Sequence, residues 1–181
     1  RLFNLLKKNI NIITIHSADE AKRNKKNTLQ ILVKGKCSNT SPGKLYKSNA
    51  KYILDVLNTS INLCINNKDY ALVTGPLSKE NIIKIDPQFT GHTEHIQKLT
   101  KSKNVLMLLG SEKLKLAFIT THIPLKKVPN TINKDDIFSK TKILNDELKK
   151  KFMIKNPRIG ILGLNPHAGE NGRIGSEEFD K

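Results

Sequence analysis

Tryptophan is missing from the 181 residues, aromatic residues make up only 5% of them, and there are two cysteines. No stretch alternates aromatic with basic side chains, so the stacking platform of a single-strand nucleic-acid binder is excluded. Cys37 and Cys64 stand far apart without a Cys-x-x-Cys spacing, which excludes a thioredoxin motif, a zinc ribbon and a disulfide scaffold. A reduced, cytoplasmic protein is expected. Long apolar runs are absent too: Val105 to Leu109 falls far short of the roughly 18 to 20 residues a helix needs to cross a bilayer, so no membrane partner is expected.

Acidic residues are scarce beside basic ones, 16 Asp+Glu against 32 Lys+Arg, for a formal net charge of +16. The excess is lysine, since Arg1, Arg23, Arg158 and Arg173 are the only arginines. Arginine is the residue suited to bidentate phosphate and base contacts. Lys, Asn and Ile together are what an AT-rich coding sequence over-supplies, and scattered Lys sits on a solvated surface. No nucleic-acid partner is expected; a basic nucleic-acid-binding module is the remote alternative, distinguished by a steep salt dependence of DNA affinity.

What is present is an alternation of short apolar runs with helical periods. Residues 1–40 read as a peripheral N-terminal segment with short strands at Asn11–Ile15 and Leu29–Val33 and a polar loop between them. After Ser41-Pro-Gly43, Ala50, Ile53, Leu54, Leu57 and Ile61 recur at the spacing of an amphipathic helix. Tyr70–Thr74 reads as a strand stopped by Gly75-Pro76, Gly91–Leu99 as the start of a helix, and Val105–Leu109 and Leu114–Thr120 as strands. A long helix is expected over Asn133–Phe152, with Asn133 as N-cap, and a last strand over Arg158–Leu164. Such a pattern predicts an α/β domain over 41–181 with a largely parallel or mixed sheet.

In α/β sheets ligands gather beyond the carboxyl ends of the strands. Three of the five histidines, His92, His122 and His167, fall in loops or helix starts of that kind. His122 and His167, each next to a Pro or one residue from it, form a candidate divalent-metal pair, the alternative being that each bonds its own loop. Two ligands are one short of a usual catalytic site. Gly91-His92-Thr93 at a helix start suits a phosphate or carboxylate, or is an ordinary Thr cap. His95, one turn on from His92, reads as a partner or surface residue. Lys79 is a candidate to pair with an anion or assist proton transfer. Asn165, Gly169 and Glu170 lie in a Gly-rich loop able to close over a ligand, without a GxGxxG fingerprint.

Four strings carry a resemblance: Leu72-Val-Thr-Gly-Pro-Leu-Ser-Lys79, Phe89-Thr-Gly-His-Thr-Glu94, Thr120-Thr-His-Ile-Pro-Leu125, and Gly163-Leu-Asn-Pro-His-Ala-Gly-Glu170 with Gly175-Ser-Glu-Glu178. In this order the chain resembles the 4-hydroxythreonine-4-phosphate dehydrogenase family of pyridoxal phosphate biosynthesis. The resemblance implies an α/β fold, a three-layer α/β/α arrangement of the isocitrate/isopropylmalate dehydrogenase-like kind, incomplete here. It also implies a homodimer whose active site is shared between subunits.

The implied reaction is the NAD-dependent oxidation of 4-phosphohydroxy-L-threonine, a small phosphorylated amino acid, with decarboxylation to 3-amino-2-oxopropyl phosphate. Position by position, His92 and Thr93 match the family's substrate-binding pair, and His122 and His167 match two of three histidines for a divalent metal ion (zinc, magnesium or cobalt). Lys79 is the candidate catalytic group. The third metal ligand, a Lys, Asn and Arg cluster and most NAD contacts have no counterpart here, nor has the family's Gly-rich opening strand. The chain therefore reads as a central fragment of a longer two-domain enzyme, truncated at both ends and inactive alone. The alternative within the family is a dehydrogenase of a four-carbon phosphorylated acid, threonate or erythronate 4-phosphate.

Overall fold

A helix with an apolar stripe at Ala50, Leu57 and Ile61 has to bury that stripe. In the computed structural model of the chain, which describes residues 9–38 and 40–180, it does so. Helix α1 (Ala50–Asn66) buries those three side chains. Leu57 and Ile61 meet Ile82 and Phe89 in a small core, with Leu72, Leu77, Ile96 and Leu99 packed around it. Ile82 comes from the short helix α2 (Lys79–Ile83), and Ile96 and Leu99 from α3 (His92–Thr100). Each fully buried Ile or Phe contributes about 1.5–3 kcal/mol, so this cluster fixes α2 and α3 on α1.

The chain divides between Thr100 and Lys101 into two compact units. The first also holds β1 (Asn11–Ile15) and β2 (Thr28–Leu32), a parallel pair in register from Asn11 opposite Thr28 to Ile15 opposite Leu32. Parallel neighbours need a crossover of about a dozen residues. Here residues 16–27 supply it, opened by a Ser17–Glu20 capping box and tied to β2 by Gln30, whose side chain bonds both backbone groups of Lys22 (2.8 and 2.5 Å).

The second unit opens with a hairpin. Strands β3 (Met107–Gly110) and β4 (Lys115–Phe118) are antiparallel, with Met107 opposite Phe118 and the turn closed by Ser111 N–H donating to the Leu114 carbonyl at 2.8 Å. A short helix, α4 (Val128–Thr131), leads to the long α5 (Lys134–Lys150). Asn133 caps α5 as its position predicts, its Oδ1 accepting from the Asp136 N–H at 2.8 Å. Asp135 and Asp136 in the first turn and Lys149 and Lys150 in the last complement the helix dipole. A single turn, α6 (Glu177–Asp180), ends the described residues.

The fold is α/β, but two expected strands are not formed. Tyr70–Thr74 and Arg158–Leu164 join no ladder among the described residues, and the ladders found there are one parallel and one antiparallel pair in separate two-stranded sheets instead of one largely parallel or mixed sheet. An apolar run becomes a strand only where a neighbour completes its hydrogen bonds. Val73 is 93% exposed and Leu162 88% exposed, so neither segment has the two covered faces of a central parallel strand. The β3 strand also begins two residues later than expected, at Met107, and β4 spans only Lys115–Phe118.

Candidate functional site

The Phe89–Glu94 string is built on the core of the first unit. Phe89 is buried, and the Gly91 carbonyl accepts the first helical bond of α3 from the His95 N–H at 3.1 Å. His92 and Thr93 therefore form the exposed-end turn of α3, both half-buried. Gly91 lies close under two side-chain tips: a Cβ there would lie 3.2 Å from Glu94 Oε2 and 3.4 Å from Lys79 Nζ. The terminal atoms of Lys79 thus lie over the turn that carries His92 and Thr93, and three sequence candidates come together.

His95 has a defined place. Its Nε2 lies 2.6 Å from Asn58 Oδ1 on α1, and its ring leans on Phe89 with centroids 5.3 Å apart and planes at 52°. With the amide oxygen as acceptor, Nε2 carries the proton. Burial pushes the imidazole pKa below its ordinary value, and Lys98 and His92 push the same way, while Asp86 opposes them. Asn58 was invisible as a partner, because its distance in sequence is closed only by the packing of α3 on α1.

In the second unit His122 follows β4, on a loop anchored by the Lys140 ammonium, which donates to the Ile119 carbonyl. His122 is exposed and its backbone is left-handed, with φ +57°. His167 shares both properties: φ is +50° and its side chain is 78% exposed. Left-handed φ is uncommon for any residue but glycine, and each sparsely populated conformation costs about 1–3 kcal/mol. The two histidines paired by sequence therefore also share an unusual backbone conformation.

Around His167 the left-handed conformation runs on through Ala168 (φ +51°), Glu170 (φ +47°) and Asn171 (φ +56°), with Gly169 and Gly172 interleaved at φ +84° and +85°. The turn is braced from within by Ala168 N–H to the Asn165 carbonyl (3.2 Å), Gly172 N–H to the Gly169 carbonyl (2.9 Å) and Ile174 N–H to the Gly169 carbonyl (3.2 Å). His167 Nδ1 stands 3.0 Å from Glu170 Oε1. A carboxylate on one ring nitrogen fixes the tautomer and turns the other nitrogen outward, as in imidazoles that ligate metals. In that respect the residues suit a divalent cation.

The donor set is incomplete, because no group of three or more His, Cys, Asp or Glu able to hold a metal ion exists among the described residues. The Gly-rich loop follows Arg158–Leu164, which joins no ladder among the described residues, so it is not a strand–loop–helix dinucleotide fingerprint. Asn165, expected only to lie near the site, donates its N–H to Glu178 Oε1 at 2.6 Å and its amide to Glu177 Oε2 at 2.6 Å and Glu178 Oε2 at 3.0 Å. These donors, the Asn165 N–H first and its side chain second, hold the Glu178 pKa below the ordinary carboxylate value. Sequence reading saw Glu177 and Glu178 as part of a motif without a role.

The family model of the pyridoxal phosphate biosynthetic protein PdxA matches residues 1–181. A 4-hydroxythreonine-4-phosphate dehydrogenase of Marinobacter nauticus is 43% identical over 144 residues, covering 80% of this chain and 43% of that protein. Another, of Citrobacter koseri, is 38% identical over 160 residues, 88% of this chain and 49% of the relative. Among solved structures, the Klebsiella pneumoniae 4-hydroxythreonine-4-phosphate dehydrogenase superposes with a TM-score of 0.81 at 29% identity, covering 94% of this chain and 51% of that one. The enzyme of that name from Burkholderia phymatum gives the same TM-score at 29% identity, covering 99% of this chain and 54% of its own. The chain spans less than half the length of these curated relatives.

Proposed function

Because the chain belongs to the PdxA family of pyridoxal phosphate biosynthetic proteins, we propose that it supplies part of the active site of a 4-hydroxythreonine-4-phosphate dehydrogenase. The observation that supports this reading is the pair of exposed histidines, His122 and His167, both held in left-handed backbone, in the two strings whose resemblance implies metal ligands. In the reaction the secondary hydroxyl of 4-phosphohydroxy-L-threonine loses its proton and the carbon bearing it loses a hydride, which passes to NAD, leaving a ketone. The β-keto acid so formed loses carbon dioxide and gives 3-amino-2-oxopropyl phosphate.

His122 and His167 would hold the divalent cation, zinc, magnesium or cobalt, together with a third ligand outside the described residues. When bound, that cation supplies Lewis-acid polarisation of substrate oxygen. Glu170 keeps His167 in the tautomer that leaves its outer nitrogen free. His92 and Thr93 bind the substrate's anionic end at the α3 N-terminus, where backbone N–H groups and the helix dipole favour negative charge. Lys79, beside Gly91, adds positive charge to that turn and is the candidate for proton transfer. No described residue is assigned to NAD. The enzyme is read as a cytoplasmic homodimer with a three-layer α/β/α arrangement and an active site shared between subunits.

Substrate and product identify the reaction. The enzyme expressed from its full coding sequence, given metal and NAD, should form NADH and carbon dioxide in equal amounts from 4-phosphohydroxy-L-threonine. A preference for threonate or erythronate 4-phosphate would assign it to the related four-carbon-acid dehydrogenases instead.

A further inference from the structure

Asn165 precedes Pro166 and is extended, with φ −91° and ψ 154°, as a residue before proline must be. In that conformation its carbonyl serves the turn, accepting from Ala168 N–H, while its own N–H has no acceptor within the turn. Its side chain does not cap the turn either, the usual use of Asn at such a position. All of its donors are spent instead on two carboxylates from α6, with three bonds of 2.6, 2.6 and 3.0 Å.

Gly175 makes room for this arrangement, since a Cβ there would collide with Glu177 Oε2 and with the Asn165 amide nitrogen. Gly169 and Gly175 are also packed against each other, so a side chain on Gly169 would strike the Gly175 carbonyl. Gly175 therefore admits the Glu177 carboxylate to Asn165, and Gly169 admits the Gly175 carbonyl.

We propose that Glu177 and Glu178 are positioning residues for His167: through Asn165 they clasp the start of the turn and hold its left-handed path, so that the imidazole is presented outward. Left-handed backbone at His167, Ala168, Glu170 and Asn171 is a conformation that local preference opposes. The internal bonds of the turn close only short loops, so the anchor against relaxation comes from α6. The metal-directed part of this proposal rests on the reading of His167 given above; the clasp itself does not.

The test uses the 181-residue chain, labelled with 15N, and measures amide hydrogen exchange at Ala168, Gly172 and Ile174, the donors that brace the turn. Glu178→Ala and Asn165→Ala should each accelerate exchange there at least tenfold and leave the amides of α5 unchanged. The double variant should exchange faster than either single one but less than additively, because only the Asn165 amide bond to Glu178 is shared, while the Asn165 N–H bond survives in Asn165→Ala and the bond to Glu177 survives in Glu178→Ala. Glu178→Gln, which keeps an acceptor for the Asn165 N–H, should stay within about threefold of the parent. In parallel, zinc titrated into the parent chain should move the His167 ring resonances, and Glu178→Ala should raise the half-saturating zinc concentration about tenfold. Unchanged exchange in Glu178→Ala, or equal acceleration throughout α5, would overturn the proposal. If the exchange results hold while zinc leaves the parent His167 ring unmoved, the metal reading fails and the clasp stands.

Discussion

His122 and His167 sit where glycine would be more comfortable, at φ +57° and +50°. Replacing such a residue by glycine relieves the backbone while adding freedom to the unfolded chain, two effects of similar size and opposite sign. His122→Gly should therefore change thermal stability by less than about 0.5 kcal/mol while abolishing the site's share of metal affinity. His122→Val, with a β-branched side chain in the same conformation, should cost about 1–2 kcal/mol. Thermal unfolding of the two variants checks this; equal stability of the glycine and valine forms would mean that the backbone there is not constrained.

His95 carries a pH dependence of known sign. Its folded pKa lies below its unfolded one, chiefly through burial, so the unfolded chain binds the extra proton first as pH falls. Its contribution is fully present above the unfolded value and is lost as pH falls through the folded one. Stability of the parent should thus decline from pH 7.5 to pH 5, and His95→Phe, which keeps a ring against Phe89, should flatten that decline. An identical slope in the variant, measured by urea unfolding across the range, would show that His95 is not the titrating group.

At the scale of elements, α1 and α5 were legible because their information is local. The stripe at Ala50, Leu57 and Ile61 marks one helix, and Asn133 with Asp136 marks the start of the other. Asn133→Ala should cost about 1 kcal/mol through the loss of that cap, read as a lower unfolding midpoint. Tyr70–Thr74 and Arg158–Leu164 were misread because a strand depends on a neighbour that its own residues do not specify. The same limit hid Asn58 behind His95 and the two glutamates behind Asn165. In each case the sequence named the side chain, and only tertiary structure showed what holds it.

The clasp on Asn165 also has an acid limit. Glu178 is held below its ordinary pKa by the N–H groups it accepts, so its contribution is present above the unfolded pKa and is lost as pH falls through the depressed folded one. Amide exchange at Ala168 and Ile174, corrected for its intrinsic pH dependence, should accelerate only once pH drops below the usual carboxylate range. Acceleration beginning near neutrality would contradict the assignment of Glu178 as the controlling group.

Over the whole molecule, the scarcity of acid means something narrower than it first suggests. The charge of +16 is mostly lysine, and the one lysine with a described place beside candidate substrate ligands is Lys79, over Gly91. Such a field would attract anionic ligands without specifying them. No helix among the described residues is long and apolar enough to cross a membrane. The apolar side chains of Val73 and Leu162 lie bare on segments that read as strands, in a chain that spans less than half of its relatives. With two candidate ligands and no third among the described residues, the 181 residues alone should form no NADH from 4-phosphohydroxy-L-threonine.

The most direct measurement is the initial rate of NADH formation by the enzyme expressed from its full coding sequence, compared among the parent, His122→Ala and His167→Ala with metal supplied. The parent should turn over and lose activity to a chelator, and each variant should fall by at least about a thousandfold, as expected when a Lewis acid worth several kcal/mol is lost. Chelator-sensitive turnover that survives in either variant would contradict the assignment of these histidines and with it the account of the site.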